Sequence, residues 1–127
     1  FYNDNRSKYA KLFNILEKNN NKIIILYPIP SVDPKYNMNL IRHYKKNRKL
    51  PDIFIDRKIF EEQTKKSYKF YDSFKNSNIF KIYPAEVSCD ENKCYSIKNN
   101  SILMVDYSHP SSIFAYAINS EIIKLLK

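Results

Sequence analysis

The sequence predicts a layered α/β fold, in which short buried strands alternate with longer amphipathic helices. Three apolar runs have the length and residue types of strands, at 22–27, 79–83 and 102–105. Around them, apolar residues recur at the three- and four-residue spacing of helices. The 127 residues suffice for one domain, and 43% of them are hydrophobic. We therefore expect a single domain over residues 1–127.

Four helices are predicted from these spacings. They cover Asp4–Asn20, Asn37–Lys46, Arg57–Asn76 and a last segment that follows Pro110 and ends at Leu126. Asp52 or Asp56 can cap the third helix, and Ser111 or Ser112 the last, since these side chains accept hydrogen bonds from free amides. Two prolines after the first strand, at positions 28 and 30, predict an extended loop that continues over 31–36.

Glycine is absent from the sequence. The P-loop and the dinucleotide-binding fingerprint are excluded, because both need glycines where the backbone approaches phosphate. No apolar run reaches the roughly 18 residues that a membrane span needs. The histidines, His43 and His109, are not in metal-ligand spacing with each other or with the cysteines. We predict no cofactor and no metal site.

The formal net charge is +9, from 22 Lys and Arg against 13 Asp and Glu. Such an excess favours nucleic acid, an anionic membrane surface or another anionic polymer as a partner. Most of these cations are lysines, whereas base recognition favours arginine. Nucleic acid is therefore a disfavoured alternative, and a solvated lysine-rich surface explains the charge equally well.

Two cysteines, Cys89 and Cys94, lie in a polar segment that we predict to be an irregular excursion over Pro84–Asn100. Their spacing fits neither a zinc site nor a redox C-x-x-C motif. A disulfide that closes a small loop is the simplest interpretation, and two free thiols are the alternative. A disulfide would indicate an oxidising compartment, such as the periplasm or the cell surface.

The segment most informative about chemistry is Leu103–Ser111, where an apolar strand leads into a loop with Asp106 and His109. A carboxylate three residues before a histidine can reach its Nδ1, fix the tautomer and stabilise an imidazolium. The Nε2 atom can then take a proton from a hydroxyl nucleophile. The alternative is a surface histidine beside a helix cap. Tyr107 lies between the two residues and is a candidate substrate contact.

Four features follow one another in this part of the chain: a cysteine pair at 89 and 94, a predicted strand at 102–105, the sequence Asp106-Tyr107-Ser108-His109-Pro110-Ser111, and a terminal helix. In this order they resemble the last block of the SGNH hydrolase superfamily. The closest likeness is to the extracytoplasmic SGNH domain fused to family 3 membrane acyltransferases. Residues 22–30 are similar to the family's strand followed by Pro-x-Pro, so the resemblance covers roughly residues 8–127. It implies a three-layer αβα, flavodoxin-like sheet.

The chain departs from the family pattern at several positions. Pro110 stands where the family has Leu, and Phe114 stands where it has Gly. The nucleophile block Gly-Asp-Ser and the oxyanion-hole Gly are missing, and Asn3 and Asn5 are poor matches to the family's Asn block. We therefore expect the C-terminal half of such a domain, incomplete on its N-terminal side, with the first half upstream. A degenerate domain that has lost catalysis is the alternative.

The resemblance implies a Ser-His-Asp mechanism in which His109 is the base and Asp106 its orienting carboxylate, with the serine outside this chain. It further implies transfer or hydrolysis of an O-acyl (acetyl) group on an envelope glycan such as lipopolysaccharide or peptidoglycan. The implied setting is periplasmic or extracellular, tethered through an upstream membrane acyltransferase domain. A non-catalytic glycan- or partner-binding domain on the same scaffold is the alternative. An incomplete sheet would leave an open edge, which predicts a possible homodimer.

Overall fold

The computed structural model describes residues 3–30 and 36–126, so most of the loop predicted at 31–36 lies outside the described residues. Helices and strands alternate along the chain, and the fold is mixed α/β, which confirms the predicted class. The elements in order are α1 (Asn3–Lys18), β1 (Ile23–Leu26), α2 (Tyr36–Asn47), β2 (Ile53–Asp56), α3 (Arg57–Asp72), β3 (Ile79–Ile82), α4 (Pro84–Ser88), β4 (Lys93–Lys98), β5 (Ser101–Ile102) and α5 (Ser112–Leu126).

The strands β1 and β3 form a parallel pair, from Ile23 opposite Ile79 to Leu26 opposite Ile82. The chain passes from one to the other through α2, β2 and α3. No third strand joins this sheet within the described residues. Its edges are therefore open there, and the β1 residue Leu26 is 44% exposed.

Helices cover both faces of the parallel pair. On one face Ile23, Ile25 and Tyr27 are buried against side chains of α1 and α3. On the other face Ile82 is buried and Ile24 is partly buried against α5. Because side chains along β1 point alternately to the two faces of the sheet, this one strand packs against helices on both sides, as expected for a continuous β-branched run. The result is an αβα arrangement with an incomplete sheet, as the flavodoxin-like prediction requires.

The remaining strands form an antiparallel sheet in the order β2–β4–β5. Ile97 of β4 is completely buried, and Ile53, Ile55 and Ile102 pack against it together with Leu40 of α2. The sequence did not predict β2 or β4. β2 has only four residues, and β4 carries polar residues at most of its positions, so their inward positions become apparent only once the two strands pair, with Ile55 opposite Cys94.

The predicted third strand over 102–105 is corrected by the structure. Only Ser101 and Ile102 are in β5, which pairs with β4 in an antiparallel hairpin. The amides of Leu103 and Met104 both donate to the carbonyl of Ser96, so the ladder ends in an irregular step. Val105 is 59% exposed. The apolar run therefore does not form a strand of the parallel sheet. It begins in the hairpin with Ile102 and continues beyond the end of the hairpin.

Turns in this glycine-free chain use asparagine where the backbone becomes left-handed. Asn20, Asn99 and Asn100 have φ of 55°, 48° and 64°, and Arg48 has a φ of 55°. Asparagine tolerates this region better than other non-glycine residues because its amide side chain bonds to the local backbone. Three of the four left-handed residues in the described part of the chain are therefore asparagines.

Candidate functional site

The loop between β5 and α5 is held closed at its base. Met104 and Pro110 face each other in an isolated antiparallel bridge. The amide of Val105 donates to the His109 carbonyl at 2.8 Å, and the amide of Ser111 donates to the Leu103 carbonyl at 2.8 Å. Met104 is 1% exposed and packs with the core beneath α5. A buried anchor and paired ends therefore fix the position of the five residues between them.

Asp106 organises the interior of this loop. Its Oδ1 accepts hydrogen bonds from the amides of Ser108 and His109, at 2.8 and 2.9 Å. Its Oδ2 lies 2.7 Å from Nδ1 of His109. The Ser108 amide bond, followed by the His109 side-chain bond, lowers the pKa of Asp106 from 3.8 to about 2. The carboxylate is thus ionised and fixed in orientation at neutral pH.

The side chain of His109 is oriented by this carboxylate and remains accessible. It is 74% exposed, and its side-chain hydrogen bonds within the described residues all involve Nδ1. With Nδ1–H donating to Asp106, Nε2 carries the free lone pair. This is the arrangement that a general base needs: one nitrogen held by a carboxylate and the other open to a substrate or nucleophile.

The two serines that flank the histidine have other contacts. Ser108 Oγ lies 3.4 Å from Nδ1 of His109, the nitrogen that Asp106 already occupies. Ser111 Oγ donates to the Ile102 carbonyl at 2.7 Å and accepts from the Phe114 amide at 3.3 Å. Ser111 is therefore the residue that caps α5. Neither hydroxyl is placed as a nucleophile for Nε2.

Tyr107 lies on the same loop and is 50% exposed. No hydrogen bond links it to Asp106 or His109 in the part of the chain that the structure describes. Half of its surface is therefore accessible to solvent. The described residues contain no group of three or more His, Cys, Asp and Glu side chains that could hold a metal ion.

The structure joins Cys89 and Cys94 in a disulfide that connects the end of α4 to β4. The prediction of an irregular excursion over Pro84–Asn100 is wrong, because this segment contains the helix α4 and the strand β4. Cys94 is completely buried and packs against Phe60 and Ala85. Beside it, Asp90 closes the turn by accepting from the amides of Asn92 and Lys93 and from the Tyr95 hydroxyl.

Sequence reasoning brought Asp106 and His109 together correctly but missed the two amide bonds to Asp106 Oδ1. The sequence does contain a signal for these bonds, because an Asp side chain commonly accepts hydrogen bonds from the amides two and three positions later in the chain. It also left open which serine caps α5. The structure resolves this in favour of Ser111, whose hydroxyl additionally ties α5 to the end of β5.

The chain matches a family of known proteins over most of its length. No helix in the described part of the chain combines the length and apolarity needed to cross a membrane. No curated protein and no solved structure matches the chain significantly. A family model described as "SGNH domain (fused to AT3 domains)" matches residues 2–124, which include the Asp106–His109 loop and all of the fold except the last two residues of α5. The chain belongs to this family of SGNH domains, an acyl-transfer or hydrolase-like class.

Proposed function

We propose that Asp106 and His109 are the Asp-His part of a Ser-His-Asp triad whose serine lies outside this chain. The observation that carries the proposal is the 2.7 Å contact between Asp106 Oδ2 and His109 Nδ1 on an imidazole that is 74% exposed. The contact leaves Nε2 open for a hydroxyl group that another segment supplies. Residues 1–127 then form the C-terminal portion of a single SGNH-like domain.

The proposed reaction proceeds in two acyl transfers. In the first, the external serine Oγ attacks the ester carbonyl, Nε2 of His109 takes the hydroxyl proton, and the resulting imidazolium is stabilised by Asp106. The protonated His109 then gives its proton to the leaving alcohol. In the second, His109 takes a proton from water or from an acceptor hydroxyl, whose oxygen attacks the acyl-serine. The imidazolium then gives this proton to the departing serine Oγ, which regenerates the serine and the neutral His109. Hydrolysis and O-acyl transfer differ only in that acceptor.

We propose an O-acyl group, such as acetyl, as the transferred group and an envelope glycan as the substrate. The family's domains are fused to AT3 domains, which supports a membrane acyltransferase domain as the neighbour of this chain in the full-length protein. The Cys89–Cys94 disulfide supports an oxidising compartment, hence the periplasmic or extracellular face of the membrane. Tyr107 is the proposed substrate contact beside His109.

The test is serine-probe labelling of the longest natural form of the protein. A fluorophosphonate adduct is mapped by mass spectrometry in the wild type, in His109→Ala and in His43→Ala as the matched control. We expect an adduct on a serine outside this chain and a labelling rate about 10²- to 10⁴-fold lower in His109→Ala, because a general base contributes that much. His43→Ala should label like the wild type.

Two results would contradict the proposal. Equal labelling in His109→Ala and the wild type would exclude His109 as the base. No adduct on a protein that nonetheless contains an upstream Gly-Asp-Ser block would mean that the scaffold serves binding alone. Glycan-binding measurements would then replace the turnover assays.

A further inference from the structure

A groove of 680 Å³ runs along α3, on the side of the parallel sheet opposite to α5. Its deepest lining residues are Phe60, which is 3% exposed, and Ala85, which is 8% exposed. The Asp106–His109 loop leads into α5 on the other face of the sheet. The groove is therefore separate from the candidate catalytic loop.

The two carboxylates that line the groove each have a cationic side chain as a hydrogen-bond partner. Glu61 accepts from Arg57 Nε at 2.8 Å. Asp72 Oδ1 accepts from the Tyr27 hydroxyl at 2.6 Å and from Lys81 Nζ at 3.1 Å. Hydrogen bonding to Tyr27 lowers the pKa of Asp72 and keeps it ionised. Of the other groove cations, Lys75 acts on Asp72 through its charge, whereas Lys65 and Lys69 form no salt bridge with either acid.

Three further cations line the groove without an ion-pair partner of their own. Lys65, Lys69 and Lys75 form no salt bridge with any carboxylate in the described ranges. The helical rise of about 1.5 Å per residue places Lys65 and Lys69 about 6 Å apart along α3, and Lys75 lies three residues beyond the end of that helix. Cations that line the groove both on α3 and beyond its end fit a ligand with several negative charges better than one compact anion.

Tyr68 adds a neutral donor to these cations. Its ring packs edge-on against Tyr27 at 4.8 Å and near Tyr83 at 6.2 Å, which holds the side chain in place. No hydrogen bond to its hydroxyl is present among the described residues, although the residue lines the groove. Burial raises the pKa of Tyr68, so the phenol keeps its proton and can donate it to a ligand oxygen.

We propose that this groove binds an extended anionic glycan, with carboxylate or phosphate groups on Lys65, Lys69 and Lys75 and a ligand oxygen on the Tyr68 hydroxyl. A glycan is favoured over single-stranded nucleic acid because base binding needs open aromatic faces. Here Phe60 is buried and Tyr68 is packed among other rings. A membrane surface is disfavoured because interfacial binding uses a protruding apolar face rather than a groove. The proposal extends beyond the acyl-transfer function and does not depend on His109.

The test uses the longest natural form of the protein and a fluorescent hexasaccharide of galacturonic acid, with binding followed by anisotropy at physiological ionic strength. The fully methyl-esterified hexasaccharide has the same backbone without the charges. We expect saturable binding of the acid form and at least tenfold weaker binding of the ester. Lys65→Gln/Lys69→Gln should weaken binding of the acid form about tenfold, and Tyr68→Phe about fivefold, as expected for charged contacts and for one hydrogen bond.

The matched control removes the same charge from another helix. Lys45→Gln/Lys46→Gln acts on exposed residues at the end of α2 and should leave binding unchanged. An equal loss in both double variants would show binding to net charge alone and would overturn the proposal. Equal binding of the ester would also overturn the proposal. So would tighter binding of an equally charged oligothymidylate, or of phosphatidylglycerol vesicles, if that binding needed the same lysines. His109→Ala should bind like the wild type, which separates this test from that of the acyl-transfer function.

Discussion

The serine at position 111 joins the candidate site to the rest of the domain, so its hydroxyl is the most informative group to remove. Ser111 Oγ accepts from the Phe114 amide in the first turn of α5 and donates to the Ile102 carbonyl. Ser111 is 8% exposed, so water cannot readily replace either partner. Ser111→Ala removes both bonds and changes little else, since alanine fits the space of serine.

The expected cost has two parts. Loss of a helix N-cap costs about 1 kcal/mol. Loss of the donor to a partly buried carbonyl costs about 1 kcal/mol more. The free energy of unfolding should therefore fall by about 2 kcal/mol, which for a domain of this size lowers Tm by about 8 °C. The loop that carries His109 should lose order along with the cap, because Ser111 directly follows it.

The assay is urea unfolding followed by circular dichroism, with Ser112→Ala as the neighbour control. Ser112 is exposed and is the first residue of α5, so its substitution should change the free energy of unfolding by less than about 0.5 kcal/mol. Equal losses in the two variants, or no loss in Ser111→Ala, would refute the assignment of the cap. A changed dependence on urea concentration would mean that the variant altered the unfolded or the folded state more widely.

Two other predictions concern the loop and the disulfide. The pKa of Asp106 is lowered from 3.8 to about 2, so its stabilising contribution should be complete above pH 3.8 and be lost as the pH falls through about 2. Titration of its carboxyl carbon by NMR should show a midpoint near 2, and this midpoint should rise in His109→Ala. A midpoint near 3.8 in the wild type would contradict the hydrogen bonds to this carboxylate. Cys89→Ala/Cys94→Ala opens a loop of only a few residues and should lower the free energy of unfolding by about 2 kcal/mol. Reduction of the disulfide in the wild type should lower the free energy of unfolding in urea by a similar amount. A reduced protein as stable as the oxidised one would exclude a stabilising role for the disulfide.

The parts of the fold with strong local patterns were predictable from the sequence. The continuous run Ile23–Leu26 is a strand, and the amphipathic segment that begins at Arg57 is a helix, although it ends at Asp72 rather than at Asn76. Asp56 caps that helix as predicted, by accepting from the Lys58 amide at 2.8 Å. These features depend on contacts within a few residues, which a sequence displays directly.

Features that depend on distant partners were not predictable in this way. Asp52, the other candidate cap for α3, instead accepts from the Asn99 amide at 2.9 Å. The strand β4 was taken for a loop because the residues that bury it come from β2. The two candidate sites, the Asp106–His109 loop and the groove along α3, divide along the same line. The Asp106–His109 contact spans three residues and was foreseen, whereas the groove along α3 combines a helix with Ala85 of α4 and was not.

The two sheets differ in how far along the chain their partners lie, which has a consequence for the order of folding. Ile97 pairs with Ile102 in the hairpin β4–β5, whereas Ile23 must find Ile79 to form β1–β3. Closing a short loop costs less entropy than closing a long one, so local contacts form sooner. We therefore expect the hairpin next to the Asp106–His109 loop to form early and the parallel pair to form late. An intermediate in which β1 and β3 are still apart would expose their apolar residues, and refolding yields should then fall as the protein concentration rises.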